Sequence, residues 1–253
     1  MPAEVKILIE GFTNADSVVA AGEERTQPTV TLVKDGDLIM VVDPGVMESQ
    51  QVLIGALKRE NLTVQDVNVV CITHSHFDHF RNVGMFPDAK VLEYYGVWHE
   101  NTIDNWAEDF TPNIKIMHTP GHDVTGLTLF VTMSEGVVAI CGDVFWKKNY
   151  PQHPEDDAFA SNPERLKDSR KMILRMADWI IPGHGPMYKN DKNEVSPESR
   201  PSMKKKEVEI TVTCKRCGRQ MKQRDKCLCR PYLCFKCCEC GFDCDTCNCS
   251  HER

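Results

Sequence analysis

The string Thr73-His74-Ser75-His76-Phe77-Asp78-His79 comes straight after the apolar run Val67-Asn68-Val69-Val70-Cys71-Ile72. A short apolar run of this kind reads as a buried strand, so the histidines fall in the loop at its C-terminal end, where imidazoles and a carboxylate can turn into a cleft. Neutral imidazole and carboxylate are donors that Zn2+ prefers, with Fe2+ and Mn2+ behind it. Two such ions need about six protein donors, counting three for each. The rest of the chain supplies the missing ones. His122 lies in Thr119-Pro120-Gly121-His122, Asp143 in Cys141-Gly142-Asp143 and His184 in Pro182-Gly183-His184-Gly185, each just past an apolar segment. A single loop histidine means little, but this set repeats one design at several strand ends.

Around these loops the chain reads as an alternation of strands and helices. Strands are expected at Val5 to Glu10, Thr29 to Val33 and Leu38 to Val42, with Asp35-Gly36-Asp37 turning between the last two. Val46 to Glu60 has the spacing of an amphipathic helix with Leu53, Ala56 and Leu57 inward. Further strands are expected at Lys90 to Glu93, Ile114 to Met117, Thr125 to Met133 and Gly136 to Cys141. Asp178 to Ile181 closes the set. Asn162-Pro163-Glu164 is a helix start, with a capping side chain and proline in the first turn, and Leu166, Ile173 and Ala177 mark its inward stripe. Residues 94 to 112 hold Tyr94, Tyr95, Trp98, His99 and Trp106 with few aliphatics and read as packed loop rather than cleft wall. His118 is expected to pack or hydrogen-bond on its strand.

The order of the metal-ligand motifs resembles that of the metallo-β-lactamase superfamily. Finer echoes of one of its RNA-processing members run over roughly residues 5 to 190: Asn82-Val83-Gly84-Met85-Phe86-Pro87, Gly142-Asp143-Val144-Phe145, Ser169-Arg170-Lys171, and Ala177-Asp178 leading into Pro182-Gly183-His184-Gly185-Pro186. The resemblance implies an α/β fold, an αββα sandwich with metals at one edge. It also implies His74, His76 and His122 on one metal, Asp78, His79 and His184 on a second, and Asp143 bridging, with Asp43 hydrogen-bonding the metal loop from behind. Asp78 and Asp143 are then the catalytic carboxylates. Two zinc ions about 3.5–4 Å apart would share a water made acidic enough to give hydroxide at neutral pH. An aspartate at 143, where a cysteine would behave differently, points away from true β-lactamases.

The closer resemblance implies a two-zinc endoribonuclease of the histone pre-mRNA 3′-end type. The nucleic-acid branch often carries an inserted cap domain, and only one loop and one helix fit between Asp143 and His184. Trp146, Lys147, Lys148 and Tyr150 follow the bridging carboxylate and suit stacking and phosphate contact. The same donors also serve a glyoxalase-II-like thioesterase or a mononuclear iron persulfide dioxygenase, which ligands alone do not separate. A catalytically silent metal-binding protein is the non-enzyme reading.

Cysteines divide the chain. Only Cys71 and Cys141 precede residue 213, and the other eleven are Cys214, Cys217, Cys227, Cys229, Cys234, Cys237, Cys238, Cys240, Cys244, Cys247 and Cys249, with His251 nearby. Repeated C-x-x-C in so poorly apolar a segment reads as a zinc-ordered module. From Lys204 to Arg230 ten Lys/Arg face three Asp/Glu, so this segment carries +7 and the remainder −14. The expected organisation is a hydrolase domain over 1–190, a linker over 191–203, where linker-like composition already sets in near Met187, and a basic cysteine-rich tail over 204–253. Such a tail would attract RNA phosphates or a protein partner. With no signal-like start and no run of about 18 apolar residues, the expectation is a cytoplasmic or nuclear protein that does not enter membranes; a homodimer is compatible with the sequence.

Overall fold

The structure is a computed structural model that describes residues 2–15, 23–148 and 150–191, together with the backbone of 211–213 and 220–222. Residues 1–195 and 196–253 separate into two compact units. In the first, a seven-stranded sheet runs in the order β1 (Glu4–Ile9), β4 (Val30–Asp35), β5 (Leu38–Val42), β6 (Val69–Cys71), β7 (Lys90–Glu93), β8 (Gly96–His99), β9 (Thr102–Asp104). A separate hairpin pairs β2 (Phe12–Thr13) with β3 (Thr26–Gln27). The second sheet has the order β10 (Ile114–His118), β11 (Leu127–Met133), β12 (Gly136–Ile140), β13 (Trp179–Ile181), β14 (Tyr188–Lys189). In the second unit, β15 (Thr211–Thr213) pairs antiparallel with β16 (Gln220–Lys222).

Side-chain parity builds the layers, because successive residues of a strand face opposite sides. Met40, Val42, Val69 and Cys71 point from the first sheet into one core with Leu129, Val131, Val138 and Ile140 of the second. Their neighbours Leu32, Val41 and Val70 point the other way, onto Leu53, Ala56 and Leu57 of α1 (Gln50–Arg59). On the far side Phe130, Ala139 and Ile180 meet Leu166 and Ile173 of α3 (Pro163–Met176). The result is helix, sheet, sheet, helix, an α/β sandwich. Strands buried on both faces, such as Leu127–Val131, are what such double coverage requires.

Three local expectations need correction. The first helix begins at Gln50 rather than Val46, since the Val46 amide donates to the Asp78 carbonyl at 2.7 Å and that bond holds the preceding loop extended up to Ser49. Residues 96–104 form the hairpin β8–β9 and extend the sheet; Trp106 is partly buried, its indole donating to the Glu93 carbonyl at 2.8 Å, while Tyr95 and Trp98 are exposed. Linker composition near Met187 conceals an edge strand: Tyr188 pairs with Ile180, and the buried Asn190 amide donates to the carbonyls of Leu174 and Ala177. No helix among the described residues is long and apolar enough to cross a membrane. The eleven tail cysteines, and the expected linker beyond Asp191, lie outside the described residues.

Candidate metal centre

β5, β6 and β7 run parallel, as do β12 and β13. Their C-terminal ends therefore open on shared edges, and the loops leaving them carry the donors. Past β6 come His74 and His76, then α2 (Phe77–Phe80) with Asp78 and His79. His122 follows β10, Asp143 sits in a single 3-10 turn after β12, and His184 follows β13. His118 stays apart, as expected, with Nε2 3.3 Å from the Tyr94 carbonyl.

The seven donors form two adjoining groups. His74, His76, His122 and Asp143 each bring one ligand atom within 4.8 Å of the others, and Asp78, His79 and His184 do the same. Asp143 stands between the groups. Its Oδ1 lies 3.3 Å from His79 Nε2, and its Oδ2 lies 3.2 Å from His184 Nε2, 3.5 Å from His122 Nε2 and 4.0 Å from His74 Nε2. His76 Nδ1 is 3.0 Å from His122 Nε2. His74 Nε2, His79 Nε2 and Asp143 Oδ1 are buried without a hydrogen-bond partner. Leaving a buried polar atom unsatisfied costs about 1–3 kcal/mol, so three such atoms converging on one space fit divalent cations as the missing partners.

What lies behind each ring decides which nitrogen faces inward. Asp43 Oδ2 is 2.9 Å from His79 Nδ1, while the Thr73 amide and hydroxyl donate to the same carboxylate at 2.8 and 2.7 Å. Asp157 Oδ2 is 2.8 Å from His122 Nδ1, and the Gln27 carbonyl is 3.0 Å from His184 Nδ1. Carboxylate and carbonyl oxygens only accept, so these Nδ1 atoms carry the hydrogen and each Nε2 lone pair is left for a cation. His76 is turned around: Nε2 approaches Asp123 at 3.6 Å and Nδ1 faces the cluster.

Burial holds His74 well below the usual imidazole range and lowers His76 as well, which keeps both neutral and able to ligate. Around Asp143 burial is overcome. It works against a charged ring at His79 and His184, yet the Asp143 carboxylate raises both, with Asp43 adding to the effect at His79. Burial likewise opposes ionisation of Asp143, and the rings of His184 and His79 hold its carboxyl well below the usual carboxylate range. The pocket is built to receive positive charge.

The family model for the metallo-beta-lactamase superfamily matches residues 24–111. Metallo-beta-lactamase domain-containing protein 1 of Xenopus laevis is 31% identical over 202 residues, covering 74% of this chain and 82% of the frog protein. The chain belongs to the metallo-β-lactamase superfamily. The human protein of the same name is 30% identical, and the match covers 63% of each chain. The crystal structure of a candidate metallo-beta-lactamase from Thermotoga maritima superposes with a TM-score of 0.61 at 21% identity, over 75% of this chain and all of that one, a likeness of fold. Membership in this superfamily of metallo-hydrolases and the His/Asp cluster together make the protein a metal-dependent hydrolase that uses divalent cations.

In this superfamily member a cleft of about 410 Å3 opens beside His76, Asp78, His122, Asp143 and His184. Its described lining includes Trp146, which is buried and donates its indole N–H to Asp157 at 3.2 Å. Lys147, Lys148 and Tyr150 are not in that lining. The Lys147 ammonium sits 5.5 Å over the Tyr150 ring and that of Lys148 5.9 Å over Tyr188. Asp157 escaped sequence reading: it ends an acidic run whose other members, Glu155 and Asp156, are exposed, and no periodicity marks it out. Asp157→Ala is expected to weaken metal binding by about 10–100-fold, the usual effect of losing a carboxylate behind a ligand histidine. Competition with a chromogenic chelator measures it.

Proposed function

We propose that this protein is a dinuclear zinc hydrolase that cleaves phosphodiester bonds in RNA, of the histone pre-mRNA 3′-end type. The observation that carries the dinuclear part is Asp143, whose carboxylate stands between the donor groups, near His79 and His184 of one and His122 of the other. His74, His76 and His122 would hold one ion, Asp78, His79 and His184 the other, with Asp143 shared. Bound zinc supplies hydroxide at neutral pH and Lewis-acid polarisation of the scissile group. The chain's own part is orientation: Asp43 and Asp157 fix the His79 and His122 rings, and Trp146 closes the wall behind them.

Support for RNA comes from the Asn82–Pro87 and Ser169-Arg170-Lys171 echoes and from the +7 segment, which would give phosphates a cationic handle that further zinc in the cysteine-rich tail would order. On this reading the protein works in the cytoplasm or nucleus.

A second reading rests on the cleft walls, whose described lining has no lysine or arginine but includes Val46, Phe77 and Phe159. An apolar lining suits the acyl part of a thioester, as in glyoxalase-II-like hydrolysis. Metal content and turnover, measured together on single-stranded RNA and a glutathione thioester, decide between them. Two zinc per body with RNA cleavage supports the first reading, thioester turnover alone supports the second, and one iron per chain overturns both. His76→Ala is expected to abolish whichever hydrolysis is found; retained turnover in a metal-analysed sample removes the assignment.

A further inference from the structure

Beside the metal cleft lies a second hollow of about 420 Å3, and the two share a wall made of Val46 and Phe77. Ser49, Gln50, Arg81 and Asn82 line its other sides. Asn82 is buried and fixed: its amide nitrogen donates to the Gly45 carbonyl at 2.6 Å, and its oxygen accepts from Gln50 at 3.1 Å. The Arg81 guanidinium lies 5.7 Å from the centre of the Phe77 ring, an exposed side chain on the crest between the hollows.

Charge singles this place out. Outside the basic segment the chain carries −14, and the described lining of the metal cleft holds Glu24 but no lysine or arginine. Arg81 is the one lysine or arginine among the described lining residues of both hollows. A substrate crossing Phe77 from the metal centre would meet a flat apolar step and then a guanidinium already laid along it. Charge-assisted hydrogen bonds from such a fork are roughly twice as strong as neutral ones.

We propose that Arg81 and the hollow beside Phe77 form a second subsite that binds an anionic group, phosphate or carboxylate, of the substrate whose scissile bond lies at the metal centre. This rests on the hydrolase reading of the first cleft. On RNA the group is the phosphate next to the one cleaved, with a base over Phe77. On an acyl substrate it is a carboxylate at the far end of the chain.

Calorimetric titration of the zinc-loaded full-length protein tests this with product-like ligands that are not turned over. Adenosine 3′,5′-bisphosphate is compared with adenosine 5′-monophosphate, and glutarate with butyrate. The wild type is expected to favour the member with two anionic groups in at least one pair about fivefold, and the pair that responds identifies phosphate or carboxylate as the source. Arg81→Glu is expected to erase the preference and Arg81→Lys to keep most of it; unchanged zinc content confirms that the variants fold. Equal affinities within both pairs, or a preference that survives Arg81→Glu, overturn the subsite. A preference that depends on Arg81, in a protein that cleaves neither RNA nor thioester, supports the subsite and removes both proposed substrates instead.

Discussion

Asp143→Asn is expected to empty both donor groups at once and to lower hydrolysis by on the order of a thousandfold, the scale seen when a group central to charge stabilisation is lost. Both oxygens of the carboxylate are in use, one toward His79 and the other toward His184, His122 and His74. An amide offers one acceptor and one donor. Whichever way it turns, an NH2 group faces one of the two positions where a cation belongs, and the negative charge that opposed the cations is gone. Metal analysis of the purified variant, read beside circular dichroism to show an intact fold, checks the claim. Metal content in Asp143→Asn equal to that of the wild type would mean that the carboxylate is not shared.

Gly183→Ala is expected to produce the same loss with all seven donors still in place. A Cβ at 183 would lie 1.7 Å from Asp143 Oδ1 and 3.1 Å from the Gly142 backbone. A separation of 1.7 Å is far inside van der Waals contact, so the carboxylate must leave its position between the groups. Gly185→Ala is the matched comparison two residues on, where the nearest atom to a new Cβ is the Lys147 side chain at 3.4 Å, an ordinary contact. Metal affinity of the His/Asp centre is expected to fall by at least about tenfold in the first variant and to change less than twofold in the second, in keeping with the strict geometry that ligand shells demand. Equal metal affinity in both would show that the approach of Gly183 to Asp143 does not matter.

The layered fold was readable because its strands are short apolar runs closed by glycine, proline or aspartate, and because Asn162-Pro163 announces α3, where the Asn162 side chain does accept from the Arg165 amide. The candidate site was readable for a related reason: each donor follows a strand directly, so naming the strand places the donor. What escaped depends on partners distant in sequence. Tyr188–Lys189 is a strand only because β13 offers an edge to pair with, and β8–β9 hides its pairing behind polar residues such as His99 and Asp104. Asp157 becomes a ring-orienting carboxylate through contacts with His122 and Trp146, residues 35 and 11 positions away. The tyrosine faces beside Lys147 and Lys148 likewise become visible only in the fold.

Each donor group draws on both sheets. His74 and His76 leave the seven-stranded sheet to meet His122 and Asp143 from the five-stranded one, and Asp78 and His79 meet His184 in the same way. Either donor group is complete only when both halves contribute to it. Once bound, metal acts as a rivet across the sandwich: at a free concentration a thousandfold above its dissociation constant it adds about 4 kcal/mol against the halves coming apart. Starving the protein of metal thus loosens the same seam that excludes water from the chemistry, so longevity and competence decline together.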